Sequence, residues 1–367
     1  QAGKSYTLYE QMQKKIADGV PIENLVYINF DDERLYGMQA EQLDLILQAN
    51  YSVREEKPIL FFDEIQNVKG WENFARRLAN QKYEVYITGS NAKMLSRDIQ
   101  TVLGGRYIDI AVYPFSFKEF LSAKGIKLGS RWQYGQKRGE IERAFEEYFQ
   151  WGGFPELVRF KEKRVWLNGL YNRIFFNDLI VRNKIKNEEG LRLTLRKLAE
   201  SLCQPLSYTR LCNMIKAVGV SCSTSTVIEY INHFTDSCLI FPVQNFASRF
   251  VEKATTKKFY FVDNGLLNLF LLNNQSALLE NICAIEMQKR YNSRLYYYLH
   301  NIEVDFYVPE ENLAVQVSYK LNDENTIKRE TNALAKLHQL HPLEKALIIT
   351  KDEEKTITIN DLTIEFI

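Results

Sequence analysis

The sequence opens on Gln1-Ala2-Gly3-Lys4-Ser5-Tyr6-Thr7, the back half of a G-x-x-x-x-G-K-[ST] loop whose leading glycine is expected upstream of Gln1. Alone, Ala2-Gly3-Lys4-Ser5 constrains little, because many helix starts carry Gly, Lys and Ser. A second segment changes that. Ile59-Leu60-Phe61-Phe62-Asp63-Glu64 is a short apolar run ending in two carboxylates. The pair, in this order, points to a parallel sheet that holds a nucleoside triphosphate at strand and helix ends.

Phosphate binding needs donors that are cheap to aim, and the N–H groups at a helix start provide them. Ala2, Gly3, Lys4, Ser5 and Tyr6 are therefore the expected nucleotide-binding residues. Gly3 lets the backbone approach, Lys4 reaches the outer phosphates, and Ser5 ligates Mg²⁺. Asp63 is expected to hold the metal through its water shell, and Glu64 to polarise the attacking water. The competing reading of Asp63-Glu64 is an ordinary surface strand end. Ser90 or Asn91, after the next core strand, is the candidate that orients the water, with a turn cap as its alternative. Arg106 is the candidate transition-state cation, in cis or toward a neighbouring subunit, with an exposed ion pair as its alternative. Arg97 is a weaker candidate.

The rest of the first stretch alternates strand and helix. Helices are expected to about Asp18, over 40–49 and over 71–79; strands over 25–30, 59–62, 83–88 and 107–112. Beyond Phe115 the pattern turns helical. Trp151-Gly152-Gly153-Phe154-Pro155 reads as a sharp break and a domain boundary. Two short helices, 207–218 and 223–237, precede strands over 240–246 and 257–262, a winged-helix pattern. Ser223 and Ser225 are its candidate caps. A helix over 278–291, strands over 295–299, 303–308 and 313–319, a helix over 326–339 and a strand over 345–350 follow.

With 367 residues the chain exceeds the usual size of one domain. Its net charge of +1 gives no bulk attraction to nucleic acid or membrane. The five cysteines show no C-x-x-C pairing, which suggests free thiols in a reducing cytosol and argues against zinc. No apolar run approaches the roughly 18 residues a membrane span needs, and no signal peptide is evident. A cytoplasmic protein is expected.

Several segments carry a more specific resemblance. They are Gly3-Lys4-Ser5, Tyr27-Ile28-Asn29-Phe30-Asp31-Asp32, Phe62-Asp63-Glu64-Ile65-Gln66, Ile87-Thr88-Gly89-Ser90-Asn91-Ala92 and Pro114-Phe115-Ser116-Phe117. Gly152-Gly153-Phe154-Pro155, Tyr260-Phe261-Val262-Asp263-Asn264-Gly265-Leu266 and Glu303-Val304-Asp305-Phe306 continue it. The chain resembles a bacterial and archaeal family of AAA-type ATPases with a C-terminal domain of unknown function, DUF4143. The resemblance implies an α/β fold: a P-loop NTPase parallel sheet of AAA type, a helical and winged-helix segment, then a C-terminal α/β restriction-endonuclease-like domain. The expected division is 1–125 ATPase core, 126–200 helical lid, 201–262 winged-helix-like and 263–367 nuclease-like. ATP and Mg²⁺ are the implied cofactors.

The resemblance implies a nuclease site with a helical Glu, a strand-end acid and E-x-K on the next strand. Glu286 and Asp305 match the first two. Gln316 and Ser318 stand where Glu and Lys are expected, and Lys320 is the one nearby substitute. A chemically silent domain is the favoured reading. The second helix of the winged pattern brings no Lys or Arg. Arg210 and Lys216 lie on the first helix, and Arg249, Lys253, Lys257 and Lys258 surround the wing, where they either touch a phosphate backbone or stay solvated. The leading expectation is an ATP-controlled switch. An ATP-gated nuclease and a nucleotide-controlled DNA- or protein-binding adaptor are its rivals, and an oligomer is compatible with each.

Overall fold

The computed structural model describes residues 2–89, 101–129, 132, 135, 137–271, 274–321 and 324–367. The chain divides into two compact units, Gln1–Tyr113 and Pro114–Ile367. In the first, α1 (Lys4–Ala17), β1 (Leu25–Asn29), α2 (Asp44–Tyr51), β2 (Ile59–Asp63), α3 (Trp71–Asn80) and β3 (Val85–Ile87) alternate. The strands are parallel, in the order β1-β2-β3, with Asn29 opposite Asp63 and Phe62 opposite Ile87. β2 lacks alternation because both its faces are covered. Leu60 and Phe62 pack with Phe30, Leu43, Trp71 and Phe74, while Phe61 faces Leu8 of α1 and Leu25. Each such buried side chain contributes about 1.5–3 kcal/mol.

One expected strand is not formed. Residues 107–112 alternate like a strand, yet no strand is formed there and Ile108 is 90% exposed. Alternation supplies only a face. A strand also needs a neighbour for its backbone N–H and C=O groups, and β3 pairs with β2 alone among the described residues.

The second unit begins with helices Phe117–Ala123, Arg138–Trp151 and Lys163–Arg173, the last running on as a π-helix, Ile174–Val181. Glu188–Glu200, Tyr208–Lys216 and Thr224–Asp236 follow. Ser207 and Ser223 cap the last two, accepting from the N–H groups of Arg210 and Thr226. Nine strands then form one mixed sheet: β4 (Leu206–Ser207), β5 (Ile240–Asn245), β6 (Thr256–Phe261), β7 (Tyr296–Leu299), β8 (Glu303–Val308), β9 (Leu313–Val317), β10 (Lys345–Ile349), β11 (Lys355–Ile359) and β12 (Leu362–Phe366). Their order is β11-β12-β10-β9-β8-β7-β5-β6-β4.

Two features differ from the sequence reading. The hairpin β5–β6 continues the sheet of the C-terminal strands, because β5 pairs in parallel with β7 through Gln244↔Tyr296 and Asn245↔Tyr297. Asn245 stitches the join: its amide donates to the Leu299 carbonyl at 2.7 Å and its Oδ1 accepts the Leu299 N–H at 2.9 Å. The chain also returns after β10 to place β12 parallel beside it, with β11 as the edge.

The Trp151-Gly152-Gly153-Phe154-Pro155 break lies inside the second unit and is a clasp. Gly152 has φ 79°, and a Cβ there would lie 1.9 Å from Asp263 Oδ1. Asp263 accepts N–H groups from Gly153 at 2.7 Å and Gly265 at 2.8 Å. Asn264 donates to the carbonyls of Phe149 and Leu278, and Asn281 holds both the N–H and the carbonyl of Phe261. Gly152-Gly153 and Tyr260–Leu266, two of the segments that carry the resemblance in this unit, are thus one hydrogen-bonded structure. Burial pushes the Asp263 carboxyl up to about 6, against the pull of the backbone donors and Lys289.

Candidate functional site

The site in the first unit begins at a helix start. Gly3 takes φ 100°, a left-handed conformation that glycine adopts without strain, and α1 begins at the next residue. No side chain caps this end. The first N–H groups of α1 therefore stay available to an anion, aided by the helix dipole. Leu8 anchors the helix against Phe61, which places its N-terminus beside the end of β2. Ala2, Ser5 and Lys4 are partly exposed, and Tyr6 is 77% exposed.

Asp63 ends β2 and is only 2% exposed. Two hydroxyls hold it. Tyr27 of β1 donates to Oδ2 at 3.0 Å, and the Thr88 hydroxyl donates to Oδ1. The same Thr88 oxygen accepts the Glu64 N–H at 3.2 Å, so one side chain ties both acids to the end of β3. Glu64 has φ 54°, a costly conformation for a residue with a Cβ, and strain of this kind clusters at working sites. Its carboxylate accepts from the Gln66 amide and lies 3.9 Å from Lys4 Nζ. Lys4, Asp63 and Glu64 are therefore brought together, as the motif order requires. Each Asp63 oxygen accepts one side-chain hydroxyl, and a carboxylate oxygen has room for a further donor such as a metal-bound water. These residues fit a magnesium nucleotide.

The remaining predicted residues stand apart. Ser90, Asn91 and Arg97 lie outside the described residues. Arg106 is exposed, and its guanidinium donates to the Leu103 carbonyl at 3.4 Å. Among the described residues no contact joins it to Lys4, Asp63 or Glu64, and no ion pair engages it. Tyr27 and Thr88 were missed. Their signal was a hydroxyl on each strand flanking β2, close to the level of Asp63.

The second unit holds a different cluster, and it revises the wing. Lys258, on β6, is one of the cations expected either to touch a phosphate backbone or to stay solvated. It is fully buried, with Nζ 2.9 Å from Glu303, 3.0 Å from Asp305 and 3.6 Å from Glu280. A buried ammonium needs such partners. Burial opposes its charge, and the carboxylates outweigh that, holding Lys258 above the ordinary lysine range. Lys253 lies over the rings of Phe246 and Tyr296. Arg210, Lys216 and Arg249 are exposed.

The helical acid beside Asp305 is Glu280. Glu286 pairs instead with Lys289. Asp305 is held from both sides, with Oδ1 on Lys258 and Oδ2 accepting the Val317 N–H at 3.0 Å. Gln316 accepts the Asp305 N–H at 2.7 Å and donates to Glu330 at 2.6 Å. A glutamate there would face Glu330. Ser318 donates to the carbonyl of Lys320, whose own side chain is exposed. Among the described residues no group of three or more His, Cys, Asp or Glu is set to hold a metal ion, and no helix is long and apolar enough to cross a membrane.

Residues 1–121 match the AAA domain family. Residues 142–277 match a domain of unknown function, DUF8612; DUF4143, named by the sequence resemblance, is not the family matched. An uncharacterized protein of Methanocaldococcus jannaschii is 32% identical over 373 residues, covering 98% of this chain and 82% of the relative. An uncharacterized protein of Haemophilus influenzae is 32% identical over 365 residues, covering 97% and 88%. Among solved structures, the Walker-type ATPase of Pyrococcus abyssi is similar at a TM-score of 0.40 and 14% identity, over 67% of this chain and 83% of that one.

Proposed function

We propose that this chain, whose residues 1–121 match the AAA domain family, binds Mg-ATP at its first unit and works as a nucleotide-controlled switch. One observation carries the reading: the Lys4 ammonium, at an uncapped helix start, lies 3.9 Å from the carboxylate of Glu64, the residue after the buried Asp63. In the absence of nucleotide the Lys4–Glu64 contact shields both charges. With nucleotide present, Lys4 turns to the outer phosphates and frees Glu64 to polarise water. The N–H groups from Gly3 to Tyr6 cradle the phosphates. Ser5 and Asp63 hold Mg²⁺, which when bound neutralises charge on the transferred group. Asn91 and Arg106 complete the proposed set, as water-orienting and charge-stabilising residues.

The second unit is read as a nuclease-like shell with no cleavage chemistry, relaying nucleotide state to a partner. Lys258 and Gln316 support this. The first fills the space between the acids with a resident cation, and the second spends its amide on Glu330.

The test is ATP binding and turnover by the full-length protein with Mg²⁺, with and without duplex DNA. Lys4→Ala should weaken ATP binding at least tenfold, and Glu64→Gln should bind normally but turn over about 100-fold more slowly. Unchanged affinity in the first, or normal turnover in the second, would refute the site. DNA-indifferent turnover fits a switch acting on protein. Stimulation by DNA would replace that reading with a nucleic-acid-linked ATPase.

A further inference from the structure

We infer that Tyr27 is a positioning residue for the metal-holding carboxylate, and that Tyr9 extends the device onto the phosphate-binding helix. The inference rests on the role given above to Asp63. Its starting point is a hydroxyl chain. Tyr27, on β1, donates to Asp63 Oδ2 at 3.0 Å, and its oxygen lies 3.2 Å from the hydroxyl of Tyr9 on α1. A phenol has one proton to give. An ionised carboxylate only accepts, so the Tyr27 proton is committed to Asp63. Tyr9 is then the donor in the second bond, and the chain runs Tyr9 to Tyr27 to Asp63 in one direction.

The rings are held as well as the hydroxyls. Tyr9 and Tyr27 pack with centroids 5.3 Å apart, and Tyr6 meets Tyr9 edge-on at 5.9 Å. The helix that carries Tyr6 and Tyr9 also carries Lys4 and Ser5. A shift of α1 on phosphate binding therefore reaches Asp63 through two hydroxyls. Thr88 fixes the other oxygen from β3. With only Thr88 left, the carboxylate plane is free to turn about that single bond, and the water shell of the metal loses its orientation.

This separates two quantities. ATP binding without metal depends on Lys4 and the helix start. The magnesium requirement depends on Asp63 and whatever aims it. The experiment measures both on full-length protein: ATP affinity in EDTA, and the Mg²⁺ concentration that half-saturates turnover. Tyr27→Phe keeps the ring and its packing. It should leave metal-free affinity within about twofold while raising the Mg²⁺ requirement about tenfold, as loss of one charge-assisted hydrogen bond predicts. Tyr9→Phe should raise the requirement about two- to threefold, the size of a bond between neutral groups. An unchanged Mg²⁺ requirement in Tyr27→Phe overturns the inference. So does an equal loss of metal-free affinity, which would mark a purely structural residue. Wild-type protein that turns over ATP with no metal requirement removes the underlying role of Asp63, and that result is visible before any variant is made.

Discussion

Replacing Lys258 by methionine should unfold the second unit's centre, and the size of the loss follows from what the ammonium touches. It lies 2.9 Å from Glu303, 3.0 Å from Asp305 and 3.6 Å from Glu280, with no exposure of its own. At an effective dielectric near 20, a pair about 3 Å apart attracts by about 5 kcal/mol, and desolvation takes back most of that. Glu303 is 44% exposed, so its share is discounted for screening. Glu280 and Asp305 are 10% and 15% exposed and cannot rehydrate. Removing one partner of a buried pair costs about 3–5 kcal/mol, because the opposite charge stays behind. Lys258→Met should therefore lower the urea midpoint of the second unit by about 1–2 M, followed through Trp151 and Trp166 emission. Burial already raises the Glu280 carboxyl above the ordinary range. An acid of that kind is least costly below its unfolded value and most costly above its folded one. The deficit of the variant should thus shrink as pH falls from 7 toward 5. Adding Glu280→Gln to Lys258→Met should recover at least half of the loss. A deficit below about 1 kcal/mol, or one that ignores both pH and the second substitution, would refute the account of a charge-compensated interior.

Two more outcomes follow from the same unit. Asp263 has a folded value of about 6 and a model-compound value of 3.8; the contribution of a raised acid is complete below the lower value and lost through the upper. The stability of wild type relative to Asp263→Asn should fall by about 2 kcal/mol between pH 4 and pH 7, and a constant or rising difference in thermal unfolding would oppose it. Gln316→Glu sets a carboxylate against Glu330, 2.6 Å from the present amide nitrogen; it should cost about 3 kcal/mol at pH 7 and leave plasmid DNA uncut with Mg²⁺, whereas cleavage would show that Lys258 does not block the acids.

The cluster of Lys4, Asp63 and Glu64 was legible because its signals are local. Gly3-Lys4-Ser5 and Asp63-Glu64 each sit at the end of one element, and the ends of a parallel sheet and its helices converge. The interior of the second unit was not legible in that way. Lys258 looks like a wing cation until three carboxylates from a helix and another strand close around it. Glu286 and Glu280 cannot be ranked by periodicity, because the helix Gln275–Tyr291 is buried on most of its surface from Ala277 to Met287. Gly152-Gly153 reads as a loop, since a sequence shows missing side chains but not the Asp263 carboxylate and the Phe115 carbonyl that occupy their places.

The parallel pairing of β5 with β7 also fixes an order of events during synthesis. Chains emerge from the ribosome N-terminus first. The hairpin β5–β6 is complete when Phe261 emerges, but the edge of β5 that receives Tyr296 and Tyr297 then faces water. Lys258 likewise emerges before Glu280, Glu303 and Asp305. A hairpin that closed early would bury an uncompensated ammonium, so closing β5–β6 over Lys258 is costly until β8 arrives. For that interval the hairpin presents an unpaired strand edge, the kind of surface on which neighbouring nascent chains aggregate.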